Sequence, residues 1–185
     1  MLGMLTATLS ITTVNLAIPK MMTSLRADLD TIQWVVTAFM IVQTLLMPMV
    51  GWLTSLIGSR NLYLLSLGLF TLSSFLCSLA WSAQSLILFR IVQGIGGGPL
   101  QPLSLAILYE SFPPQQRGMA VGMFNVATAF GLAIGRIVGG YLIETESWRA
   151  TFYVSVPFGV IGLLMAFLLI PRLTDQSRRP IDFLG

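Results

Sequence analysis

Only 9% of the 185 residues are charged and 55% are hydrophobic, against roughly a quarter charged in an ordinary soluble domain. Several apolar runs reach the ~20 residues that cross a bilayer, so composition points to an all-α integral membrane protein and away from a soluble enzyme. The formal charge of +3 is too thinly spread to bind nucleic acid, Cys77 has no disulfide partner, and the absence of His removes the commonest metal ligand and general base.

The first apolar run, Met1 to Pro19, has no basic segment ahead of it, so a cleaved signal peptide is not expected. Thr8, Thr12, Asn15 and Pro19 share one face of this helix and need partners outside lipid. Lys20 to Thr31 reads as a short polar connection, with Asp28, Asp30 and Thr31 placed to cap the next helix. That second helix is expected from about Ile32 to Ile57, with Trp34 as an interface anchor. Gln33, Thr37, Thr44, Pro48 and Gly51 form its less apolar side. A tight break at Gly58-Ser59-Arg60 leads to a third run, about Leu62 to Trp81, whose Gly68, Ser73, Ser74 and Ser78 are ordinary small residues for helix packing in lipid.

The fourth run, Leu86 to Leu108, organises the chain. At helical spacing Arg90, Gln93, Gly94, Gly97, Gln101 and Ser104 share one face of an otherwise lipid-soluble helix. An arginine near a bilayer centre costs about 2.5–3.5 kcal/mol on insertion scales, so Arg90 is a functional candidate that must face protein or water. The fifth helix, about Gly118 to Ile143, comes after a Pro113-Pro114 loop. Its Gly131, Gly135 and Gly139 recur every four residues and invite close backbone approach, while Gly122, Asn125, Ala129 and a second intramembrane arginine, Arg136, line another face. A charged loop from Glu144 to Arg149 precedes a sixth helix, about Thr151 to Ile170. Six spans are expected. Arg60, Arg117, Arg172, Arg178 and Arg179 then lie on one side, against Lys20, Arg26 and Arg149 on the other, which favours a cytoplasmic N-terminus and C-terminal tail in a multi-pass protein of the plasma (inner) membrane.

Leu88-Phe89-Arg90-Ile91-Val92-Gln93-Gly94-Ile95-Gly96 resembles the fourth-helix motif of the major facilitator superfamily, and within it of the fourteen-helix drug:proton antiporters of the EmrB/QacA type. Thr12, Asn15, Ala17 and Pro19 match the first-helix motif of that family. Gly51, Leu53, Gly58 and Arg60 match its loop motif between helices two and three, and Gly131, Gly135, Gly139 and Gly140 match its fifth-helix antiporter motif. Trp148-Arg149 and Val156-Pro157-Phe158-Gly159 resemble the entry to helix six. The sequence departs from these patterns in three places. Ser10 stands where the first-helix motif has an acid, Ser55 and Leu56 stand where the loop motif has an acid and a base, and Arg136 stands where the antiporter motif has proline.

The resemblance implies one half of a transporter fold, with six helices forming two inverted triplets over residues 1–172. Residues 173–185 would be a cytoplasmic linker and the start of a seventh helix, the rest of which is missing together with a matching C-terminal half. Substrate would bind between the halves. Arg90 would serve coupling or substrate, as would Arg136, with Gln93, Gln101, Thr12, Asn15 and Asn125 lining the cavity. Gly131, Gly135, Gly139 and Gly140 would make the close contact that seals it, and Gly51, Gly58 and Arg60 the loop motif. The implied function is efflux of drugs or small solutes by alternating access, and the implied partners are a small-molecule substrate, the lipid bilayer and the missing half. No cofactor is expected. Two intramembrane arginines with no intramembrane acid favour neutral or anionic groups. A non-transporting remnant or scaffold and a small homodimeric carrier are the competing readings. An enzyme is not expected, since no nucleophile with a base, metal-ligand cluster or phosphate loop is present.

Overall fold

The computed structural model describes residues 2–145 and 147–169, and the expected linker at 173–185 lies outside them. The described chain is all helical: α1 (Leu2–Leu25), α2 (Leu29–Leu46), a 3₁₀ turn (Met47–Met49), α3 (Val50–Ile57), α4 (Ser59–Ser78), α5 (Ala83–Ser111), a second 3₁₀ turn (Pro114–Gln116), α6 (Arg117–Thr145) and α7 (Ala150–Leu169). With α2 and α3 forming one broken rod, these make six long helical elements. Five have the length and apolarity to cross a membrane. The remaining one, α1, is 24 residues long and extends about 36 Å beside the others.

Local chemistry explains where the helices start and stop. Pro48 cannot donate to the preceding turn, and the second span tightens there into the 3₁₀ segment. Gly58 ends that span with a φ of +81°, a conformation that favours a residue without a Cβ. Ser82 and Ser85 form a reciprocal capping box that starts α5. The helices outrun the sequence reading at one place in particular. Pro19 is absorbed inside α1, and Lys20 to Leu25, expected as connection, complete that helix. It stops at Arg26, whose φ of +49° puts a long side chain in the left-handed position usually given to glycine.

The main interfaces are α4 with α5, α2 with α5, α1 with α6, α4 with α7 and α1 with α7. Exchanging α1 with α5, the α2–α3 rod with α6, and α4 with α7 returns the same set. Short connections make successive spans alternate in direction, so exchanged partners run antiparallel and the bundle is built of two inverted triplets. Both α1–α6 and α2–α5 close over glycines. A Cβ on Gly139 would stand 2.7 Å from the Thr13 methyl and 3.2 Å from its Cα, and one on Gly94 would stand 2.9 Å from the Phe39 carbonyl oxygen. Gly96 is tighter still against α4, where a Cβ would lie 2.5 Å from Phe70 N and 2.7 Å from Ser66 O. Backbones can approach this closely only where side chains are missing.

Three basic side chains finish the helix ends. Lys20 Nζ donates to the Ile143 carbonyl at the end of α6, Arg60 Nη2 to Phe167 O near the end of α7 (2.8 Å), and Arg149 Nη2 to Ala80 O just beyond α4 (2.8 Å). Terminal carbonyls have no partner within their own helix and carry the negative end of its dipole, so cations serve them well. The outer surface is apolar, with Leu168 78% and Ile137 74% exposed, as suits contact with lipid chains.

These contacts separate glycines that look alike in sequence. Gly96→Ala should destabilise the protein by about 1–3 kcal/mol through overpacking against α4 backbone. Gly140→Ala, with nothing within 4 Å of the new atom, should be neutral or stabilising by up to about 1 kcal/mol, as helix propensity predicts. Thermal unfolding of the purified variants in detergent checks both.

Candidate functional site

The site grows from the second turn of α5. Leu86, one turn before Arg90, is fully buried and Leu88 is 62% exposed, so the rotation of α5 aims Arg90 inward at the place where α1, α2 and α4 converge. Arg90 is completely buried. Its Nε donates to Val35 O of α2 at 3.0 Å, and its Nη1 donates to Gln93 Oε1 at 2.6 Å and Ser10 Oγ of α1 at 3.4 Å. Gln93 passes the network on, its Nε2 donating at 2.6 Å to Ser74 Oγ of α4, which donates in turn to Phe70 O at 2.8 Å. Four helices are joined through one cation.

Among the described residues, the charge is stabilised without a carboxylate. Among the described acids, Asp28 and Asp30 lie at the head of α2 and Glu144 in the last turn of α6, none of them in this network. The guanidinium carbon instead sits 4.2 Å from the Phe39 ring centroid and 6.0 Å from that of Phe152. A desolvated cation gains about 2 kcal/mol or more from such a ring face. Arg90 Nη2 has no partner among the described residues. One apolar cluster, including Val14, Val35, Cys77 and Phe152, closes the site on one side, and a second, including Phe39, Phe70 and Leu100, closes it on the other.

The remaining sequence candidates divide sharply. Gln93 is inside the Arg90 network, while Asn15, Gln101, Asn125 and Arg136 are exposed on the surface of the bundle. Thr12 is half-buried, donates to Thr8 O at 2.9 Å, and presents its Cβ 3.2 Å from where a Cβ on Gly135 would be. Gly131 and Gly135 lie against Leu5, Thr8 and Leu9 of α1. Gly140 and Gly51 face open space, Gly58 makes the turn described above, and Arg60 ties α4 to α7 with its guanidinium 5.5 Å from the Phe167 ring centroid. A groove of about 650 Å³ between Leu5 and Met119, Met123, Val126, Phe130 and Ile134 is apolar and contains none of the polar candidates.

Sequence reasoning misses the site's second hydroxyl and its aromatic cover. In sequence Ser74 is one of several ordinary packing serines, and Phe39 and Val35 are part of the apolar filling of the second helix. Ser10 does carry a signal, since it stands at the acidic position of the resembled motif; it lies across α1 from Asn15 and reaches Arg90.

Residues 1–183 match the sequence profile of the Major Facilitator Superfamily. The chain belongs to that superfamily. It is therefore a multi-pass membrane protein of a transporter family, not an enzyme family. It is 35% identical over 185 residues to an uncharacterized MFS-type transporter, YhcA of Bacillus subtilis, covering all of this chain and 35% of that protein. It is also 35% identical over 175 residues to the multidrug export protein EmrB of Escherichia coli, covering 94% of this chain and 34% of EmrB. The fold is similar to that of a bacterial homolog of the human lysosomal transporter Spinster, solved inward-facing and unoccupied, with a TM-score of 0.66 and 21% identity over all of this chain and 45% of the other. The chain spans about a third of the length of the two sequence relatives.

The Arg90 contacts make a measurable claim about Ser10. Ser10→Asp places a carboxylate beside a buried cation that has none, so it should raise the melting temperature, whereas in an Arg90→Gln background it should lower it by burying an unpaired acid. The double-mutant cycle should give a coupling of about 1–3 kcal/mol. Additive effects would show that the two side chains do not meet.

Proposed function

We propose that this bundle is the N-terminal half of a small-solute or multidrug efflux transporter of the EmrB/QacA type, working by alternating access as a proton-linked antiporter. The observation that carries this reading is the polar surface of the bundle. Asn15 on α1, Gln101 on α5, and Asn125 and Arg136 on α6 are exposed on three helices that contact one another. Lipid offers these amides and this cation no hydrogen bonds, so a water-filled path or a second bundle must meet them. The substrate would bind there, near the midplane and between the two halves. The multidrug export named for EmrB is consistent with outward transport of organic solutes.

On this reading Arg90 does not touch the substrate. Its role is to hold α1, α2, α4 and α5 in one geometry while the halves rock, and to transmit changes at Ser10 and Gln93 between helices. The glycine face of α6 against α1 keeps the polar surface in register. Any carboxylate that carries the coupling proton would come from the second half, because the described acids lie at helix ends. Placed in the plasma membrane, the chain would have its N-terminus and the loop before α6 in the cytoplasm, the orientation that the balance of basic residues favours.

Two measurements test the reading. In a Cys77→Ser background, Gln116→Cys should be shielded from an impermeant thiol reagent applied to intact cells and Glu144→Cys should react; the reverse pattern would invert the topology. The complete protein in proteoliposomes should move organic dyes in response to an imposed pH gradient. The 185-residue chain alone should move none above empty vesicles, and saturable transport by it alone would identify a small homodimeric carrier instead.

A further inference from the structure

The two arginines within the membrane-embedded helices have opposite surroundings. Arg90 is sealed in a network with α1, α2 and α4, whereas Arg136 is exposed and has no hydrogen-bond or ion-pair partner among the described residues. Arg136 lies 19 residues after the first residue of α6 and 9 before its last, about 7.5 Å from the helix midpoint at 1.5 Å per residue. It is not a terminal residue that merely caps a carbonyl.

The rotation of α6 decides which way Arg136 points. Gly131, Gly135 and Gly139 are pressed against Leu5, Leu9 and Thr13 of α1, which fixes the register of the helix and turns Arg136 out of that contact. The remaining circumference carries two stripes. Met123, Val126, Phe130, Ile137 and Tyr141 make a bulky exposed stripe suited to hydrocarbon. Gly122, Asn125, Ala129 and Arg136 make the other, which is small and polar. A charged side chain in a membrane segment faces protein or water, so the small polar stripe is the one turned toward the transport path.

We propose that Arg136 recognises an anionic group on the substrate, so that this transporter prefers amphipathic organic anions such as carboxylates, sulfonates and ionised phenols. The inference rests on the transport reading above and names its substrate class. A guanidinium offers five donors in a planar fork that matches a carboxylate or sulfonate and repels an organic cation. Asn125, about three turns earlier on the same stripe, adds a neutral donor for the more distant part of an extended substrate. Among the described residues no carboxylate lies along these membrane-embedded faces, so nothing in this bundle supplies the countercharge that the substrate would bring.

The test uses two dyes built on one xanthene scaffold, anionic fluorescein and cationic rhodamine 123, with the complete protein in proteoliposomes at pH 7.5. Wild type should move fluorescein faster, Arg136→Gln should reduce fluorescein transport at least tenfold while leaving rhodamine 123 unchanged or faster, and Arg136→Lys should fall between. The fluorescein loss should appear in KM, and fluorescence polarisation of purified protein should show at least tenfold weaker binding in Arg136→Gln. An unchanged ratio of the two dyes in a folded Arg136→Gln variant overturns the inference and leaves transport standing. If wild type moves neither dye, the transport reading fails, and the binding measurement decides this inference alone: tighter fluorescein binding to wild type than to Arg136→Gln supports it, and equal or absent binding overturns it. Loss of folding in both Arg136→Gln and Arg136→Lys, with no fluorescein binding to wild type, would also overturn it and make Arg136 a structural residue paired with an acid of the second half.

Discussion

A guanidinium that cannot reach water must be solvated by protein, and Arg90 gathers four helices to do it. The backbone of α2, the hydroxyl of Ser10, the amide of Gln93 and, through it, the hydroxyl of Ser74 supply the polar contacts, while Phe39 supplies a ring face. Removing any one of the polar contacts leaves a buried donor or acceptor short of a partner, which costs more than the contact itself contributes. The convergence of α1, α2, α4 and α5 is therefore a single constraint with several parts. The apolar clusters on either side then exclude the water that could otherwise relax it.

Close helix crossings make that convergence geometrically possible. Gly94, Gly96 and Gly98 let α5 sink between α2 and α4 until it meets backbone on both sides, and this depth is what carries Arg90 to Val35 and Gln93 to Ser74. The matching crossing, α6 on α1, also uses glycines. Under the internal symmetry, however, α5 corresponds to α1 and not to α6, so the small residues sit on opposite members of the two equivalent interfaces. The repeat is preserved as packing geometry even though the two sequences solve it differently. Lys20 of α1 and Arg60 of α4 then tie their helices to the ends of α6 and α7, and Arg149 ties the turn before α7 to the end of α4, so that basic residues near the helix ends also hold the bundle together.

Much of this is legible in the sequence because lipid is a demanding solvent. Long apolar runs have to be helices, and the cost of placing a charge among them is enough to single out Arg90. Boundaries are less legible where polar residues prolong a helix, as at Lys20 to Leu25, because a hydroxyl that donates to its own preceding turn leaves no periodic signature; Thr23 does this to Lys20 O. Ser74 is hidden for the same reason, since its bond to Phe70 O is the ordinary one for a serine in a helix. Helical periodicity puts Arg90 and Gln101 on one face of α5 but cannot show that neighbouring helices cover that face at one end and leave it exposed at the other. Nor can it separate Arg90 from Arg136, whose difference lies in tertiary packing.

The burial of Arg90 within this four-helix network is most directly tested by nitrogen-15 NMR of the complete, arginine-labelled protein in detergent after transfer to deuterated water. A guanidinium sealed between two apolar clusters and held by Nε to Val35 O should keep its Nε–H signal long after the exposed arginines have exchanged, and that signal should be absent from Arg90→Lys. If every arginine Nε–H exchanges within the dead time, Arg90 is open to water and the network does not organise the fold.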